Sequence, residues 1–214
     1  MADADSVPGS PRALRTARLE AFSDGVFAIA ITLLVLDIAV PAGSEDDLLR
    51  AVADEWPSYL AYVVSFSTIG AAWLAHSAVT EYLGRADSML VRLNLLVLLV
   101  VAFIPFPTRL LAEYSRTDEA ARVSTTVYGI TLLATAALLS VLWRYAVRAG
   151  LVRPDAADEE IRALTTRLDP SLVGYVAIIV LGLFLPVVAV MGYLAIALYR
   201  IVPVGLLRDR GHPA

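Results

Sequence analysis

The chain has no cysteine, which excludes disulfides, thiolate metal sites and cysteine nucleophiles but leaves the redox compartment open. It also has no lysine: apart from two histidines, all 17 basic residues are arginine, which reads as a compositional bias of the source. Charge is sparse. Asp, Glu, Lys and Arg make up 18% of the 214 residues, against about 25% in soluble domains. A net charge of −4 gives no reason to expect nucleic acid as a partner. No Ser, His and Asp arrangement, glycine-rich phosphate loop or paired-carboxylate site is present, so the case for an enzyme is weak. With two histidines and no cysteine, neither a metal site nor a cofactor is expected.

Apolar residues are abundant. They form 58% of the chain, mean hydropathy is +0.71, and they lie in runs near or above the ~20 residues needed to cross a ~30 Å hydrocarbon core. The fold class that follows is all-α, a polytopic membrane protein. Residues 1–17 are polar, with Pro8, Gly9, Ser10 and Pro11, and read as a flexible tail. The apolar run after Asp24 begins late and lacks a small-residue cleavage site, so it is expected to be a retained helix rather than a secretory signal.

The first apolar segment runs from about Phe22 to Val40 and stops at Pro41 and Gly43. Residues 44–55 follow as an acidic amphipathic stretch, with Ser44 the expected helix cap. The second segment covers Pro57 to Val79, behind an interfacial Trp56. The third runs from Met89 to Ile104 and is ended by Pro105-Phe106-Pro107-Thr108, with a polar loop expected from Arg109 to Arg122. The fourth is Ser124 to Trp143. The charged stretch Arg144 to Asp169 reads as a helical extension on the membrane surface. The last apolar stretch, Ser171 to Val202, is too long for one ordinary span; Pro186 divides it, which predicts two helices and six in all. A single kinked helix, giving five, is the alternative. The six-helix domain is expected over 18–205, with a second tail at 206–214.

With six spans, one face holds only Arg50, Arg109, Arg116 and Arg122, and the other holds the remaining 13 arginines. The positive-inside rule then predicts that both termini are cytoplasmic.

The start of the first helix, Arg18-Leu-Glu-Ala-Phe22-Ser23-Asp24-Gly25, carries the most chemistry. Ionisable residues at a membrane helix usually face protein, water or a partner. Asp24 also fits a plain interfacial place in the first turn, where its charge suits the helix dipole. At ~100° per residue, Ile29, Leu33 and Leu36 lie within about 60° of one another, with Thr32 flanking and Phe22 below. Ser23 and Asp24 point more than about 100° away. If the stripe lines a pore, those two must anchor the helix to its own subunit; on periodicity alone, lipid contact or helix packing is the better explanation of the stripe. Trp73 and His76 share a face of the second segment. His76 is expected to pair with Asp24 or Asp87 at the cytoplasmic end.

The run Arg18 to Leu36 resembles the first helix of the transmembrane protein 175 family, the lysosomal potassium channels and their bacterial relatives, through an Arg-x-x-x-Phe-Ser-Asp motif. Trp73-x-x-His76, Asp87, Asn94 and Pro105-Phe-Pro-Thr108 also look like family positions. The likeness covers residues 18–108 well, and the short single-repeat length is similar to the bacterial members. It implies a homotetrameric, potassium-preferring cation channel in a bilayer, conducting potassium and other monovalent cations. First helices from four subunits would line the pore. Ile29, Leu33 and Leu36 would make its apolar constriction and Thr32 would present a hydroxyl to the ion. Arg18, Phe22, Ser23, Asp24, His76 and Asp87 would form the network that anchors the pore helix. A multi-pass place in the cell membrane follows. The competing classes are a secondary transporter or proton-coupled carrier, and a membrane scaffold without transport. No convincing repeat relates the two halves, and the only central break is near Pro186.

Overall fold

The computed structural model describes residues 16–41, 43, 45–114, 117–168 and 170–202. Helix α1, Thr16–Leu33, tightens into a 3-10 turn, Leu34–Asp37, before Pro41. A 3-10 turn at Glu45–Asp47 leads into α2, Leu48–Asp54, then α3, Trp56–Glu81. Next come α4, Ser88–Phe103; α5, Pro105–Tyr114; α6, Asp118–Arg148; α7, Asp158–Leu168; α8, Pro170–Gly182; and α9, Pro186–Ile201. Ser44 lies outside the described residues; the cap of α2 is Asp47, whose carboxylate accepts from Arg50 N at 3.4 Å.

Among the described residues four stretches are long and apolar enough to cross a membrane: Thr16–Asp37, Trp56–Glu81, Ser88–Tyr114 and Asp118–Arg148. The last pair of apolar helices is shorter, and α8 and α9 form an antiparallel hairpin. Glycines set its register: a methyl at Gly174, Gly182 or Gly192 would stand 3.2, 3.1 or 3.0 Å from Ile196, Ala189 or Ile178. At ~1.5 Å per residue both helices fall short of a ~30 Å core. The tip suits hydrocarbon. Leu183, Phe184 and Leu185 are exposed, yet their amides donate to Val180, Leu181 and Leu181 at 3.3, 3.0 and 2.9 Å, and Pro186 has no amide hydrogen to satisfy.

Helix α4 ends at Phe103, just before the Pro-Phe-Pro sequence, as expected, and a new helix starts there. Expected as a loop, residues 109–114 continue as α5, because Pro105 and Pro107 occupy its first turn, where amide hydrogens have no intrahelical acceptor anyway. Thr108 closes the turn, with its amide and its hydroxyl both directed to Ile104 O, at 3.1 and 2.9 Å. Arg109 and Glu113 then pair at 2.7 Å along α5.

Helix α1 packs on α3 and α4, α9 on α3, α6 on α4 and α8, and α5 sits between α3 and α6. A polar knot ties the last three: Thr108 bonds Ser65 at 2.8 Å, and Ser65 meets the buried Tyr128 hydroxyl at 3.0 Å. At one end of the bundle Trp56, Leu111, Ala121 and Pro186 line a common apolar cavity. At the other, Leu83 bridges to Val152, and α7 is held where Trp143 Nε1 donates to Thr165 Oγ1 at 2.8 Å. The surface extension expected between Arg144 and Asp169 is thus a separate docked helix, with Leu164 and Leu168 buried.

Candidate functional site: the first helix and its anchor

Helix α1 is apolar on both sides, and packing separates them. Ser23, Phe27, Ala30 and Leu34, spaced for one helix face, are buried against α3 and α4. The other face is bare. Ile29 is 61% exposed, Leu33 42% and Leu36 73%. Thr32 is exposed beside them, and its hydroxyl donates to Ile29 O at 2.9 Å. The hydroxyl proton is therefore spent on the backbone, and the oxygen presents lone pairs outward, the arrangement a cation needs from a ligand.

The buried face is held by a directional chain of hydrogen bonds centred on Asn94, the single carboxamide side chain in the sequence. His76 Nε2 lies 2.7 Å from Asn94 Oδ1, Asn94 Nδ2 donates to Ser23 Oγ at 3.0 Å, and Ser23 Oγ donates to Leu19 O at 2.8 Å. Because Asn94 Oδ1 can only accept, this order assigns the proton to Nε2 of a neutral imidazole. The His76 ring also packs on Phe27, centroids 5.4 Å apart. All three polar side chains are at most 2% exposed. One turn away, at the edge of the bundle, Trp73 Nε1 donates to Asp24 Oδ1 at 2.9 Å.

Two of the six residues expected in the anchor, Ser23 and His76, meet in this chain, and Asp24 joins α1 to α3 through Trp73. The partner of His76 is Asn94, not Asp24 or Asp87. Asp87 belongs to a different joint. It caps α4, accepting from Leu90 N at 2.7 Å, and accepts from Tyr145 OH on α6 at 2.6 Å. That phenolic bond, followed by the backbone amides, holds its carboxyl below the ordinary carboxylate range. Arg18 and Phe22 are exposed and lie on the bare face of α1, since four- and seven-residue steps carry them onto the row of Ile29. Among the described residues no three His, Asp or Glu side chains converge as a metal site would require.

Asn94 and Trp73 were legible as family positions but not as the partners that close the anchor. The available signal was Asn94 itself: a lone amide in the apolar α4 must find a partner within the protein.

Residues 18–105 match the family described as the endosomal/lysosomal potassium channel TMEM175. Over 160 residues the chain is 49% identical to a potassium channel of Streptomyces collinus, across 74% of this chain and 78% of that one. The chain belongs to the TMEM175 family. The crystal structure of a lysosomal potassium-selective channel TMEM175 homolog from Chamaesiphon minutus superposes with a TM-score of 0.79 at 36% identity, covering 92% of this chain and 98% of that one. The human endosomal/lysosomal proton channel TMEM175 is 36% identical over 123 residues, which cover 51% of this chain and 24% of that much longer protein. The TMEM175 match contains the whole bare stripe of α1 and every member of its anchor, Ser23, Asp24, Trp73, His76 and Asn94. This TMEM175 chain is a multi-pass membrane protein, and the structural likeness covers more of it than residues 18–105 alone.

Proposed function

We propose that this chain is the subunit of a potassium-preferring cation channel, in which α1 from each of four subunits lines a central pore. The observation that carries the reading is the division of α1. One face is fastened to α3 and α4 by buried hydrogen bonds, while Ile29, Leu33 and Leu36 stand bare on the other. A helix pinned by polar bonds keeps its orientation, so the apolar row is presented to whatever occupies the fourfold axis. Rings of such side chains gate by dewetting, because an ion cannot shed its water there without replacement ligands. Thr32 supplies the one hydroxyl oxygen among them. Potassium dehydrates at lower cost than sodium, and a narrow ring with few ligands favours it modestly. As ion channels and not enzymes, the relatives support conduction as the activity of this chain.

Placement in the cell membrane with both termini cytoplasmic accords with the arginine distribution. Arg50, Arg109 and Arg122 sit near the end of the bundle marked by Trp56 and Pro186, and Arg85, Arg92, Arg144 and Arg148 at the opposite end. The α8–α9 hairpin returns the chain to its starting side whether or not its tip reaches water. The test is recording from the purified protein in planar bilayers under a potassium–sodium gradient. Wild type is expected to pass current reversing toward the potassium potential, and Ile29→Ala and Leu33→Ala to leak. Unchanged currents in both variants would remove the constriction from this row. Saturable, gradient-coupled flux in place of ohmic current would favour a carrier.

A further inference from the structure

We infer that Phe22 lines the inner mouth of the pore, where four copies form an aromatic vestibule that binds organic ammonium cations arriving from the cytoplasmic side. This rests on the pore reading above. Phe22 and Ile29 are seven residues apart within α1, so they fall on one row with a drift of only about 20°, and Leu36 follows in the 3-10 turn beyond it. They are also the three most exposed large apolar side chains between residues 16 and 37, at 57%, 61% and 73%. Whatever Ile29 faces, Phe22 faces too, ~10 Å nearer the inner end.

Gly25 stands between Phe22 and Ile29 on the same side, and a side chain there would meet nothing within 4 Å. The row therefore runs aromatic ring, gap, constriction. The gap leaves room for a cation too large to pass Ile29, with the Phe22 ring faces around it. Aromatic faces attract cations through their quadrupole, and quaternary ammonium ions are well suited because they desolvate easily. Arg18 shares this row one turn farther toward the cytoplasm, so an entering cation passes its guanidinium before it reaches the rings, while Glu20 and Asp24 stand on other faces of α1. Phe22 is thus a pore residue and not a member of the buried anchor, which sets it apart from Ser23 beside it.

The test is block of potassium current in planar bilayers by tetraethylammonium added on the cytoplasmic side. Wild type should be blocked; Phe22→Leu, which keeps the bulk and loses the ring, should need roughly five- to tenfold more blocker, and Phe22→Trp should retain block. Absence of block in wild type, or equal block in Phe22→Leu, overturns the vestibule. Because the chain has no cysteine, Phe22→Cys introduces a single thiol. A cationic methanethiosulfonate applied inside should then reduce its current, while Glu20→Cys, about 180° away, should react without effect. An unaffected Phe22→Cys current also overturns the proposal, and this variant with Phe22→Trp carries the test if Phe22→Leu does not assemble. If Ile29→Ala leaks while the Phe22 variants behave as wild type, the constriction stands and the vestibule falls. If neither position alters conduction, the pore reading itself fails.

Discussion

Replacing Asn94 with leucine should release the first helix from the two that hold it. Asn94 is 2% exposed and bonds His76 at 2.7 Å and Ser23 at 3.0 Å, joining α4 to α3 and α1. Leucine has the same branched outline but bulkier methyls, so no cavity opens and a small overpacking term adds to the loss. Hydrogen bonds between membrane helices average about 0.6 kcal/mol and reach about 1.7. The larger cost is the His76 Nε2–H left buried without an acceptor, about 1–3 kcal/mol. Ser23 loses less, since its hydroxyl keeps Leu19 O. The sum is roughly 2–4 kcal/mol. His76→Leu alone should cost a similar amount, because it strands Asn94 Oδ1 and removes the ring packed on Phe27. The double variant has neither orphan, so it should be less destabilised than the two singles together by about 1–2 kcal/mol. Equilibrium unfolding of the four proteins in detergent measures this. A coupling energy within about 0.3 kcal/mol of zero refutes the hydrogen-bonded anchor.

Gly129→Ala should destabilise by about 1–3 kcal/mol through overpacking, since the added methyl would lie 2.7 Å from Ile179 and 2.8 Å from the Tyr193 ring; thermal unfolding checks it, and an unchanged midpoint would mean α6 and α9 do not approach so closely. The Asp87 carboxyl is depressed in the folded chain, so its contribution is present above its ordinary value of 3.8 and is lost as pH falls through the lower folded value. Tyr145→Phe removes the main cause and should narrow that acid-side loss in a stability–pH profile, whereas a profile identical to wild type would count against the bond. Thr32→Val keeps the shape and removes the outward oxygen; it should lower potassium preference roughly fivefold, about 1 kcal/mol of ion stabilisation, in bi-ionic reversal potentials, and an unaltered ratio would discard Thr32 as a ligand.

Much of the architecture was decided by local quantities. Run length against bilayer thickness established the membrane class, and Pro186 marked where the last stretch becomes two helices. The stripe of Ile29, Leu33 and Leu36 follows from helical periodicity. What periodicity could not decide was which apolar side of α1 is packed, because Phe27, Ala30 and Leu34 look as suitable for exposure as Ile29, Leu33 and Leu36. The choice depends on Ser23 meeting Asn94 across 71 residues of sequence, and a hydrogen bond over that separation leaves no trace in any local pattern. The same holds for Asp87. Its charge and position suggested a partner for His76, but the packing of α4 on α6 gave it Tyr145, and a buried imidazole took the amide within reach. Residues 109–114 also needed the tertiary structure: two prolines break a helix in mid-course yet start one comfortably, and only the packing of α5 between α3 and α6 selected the second outcome.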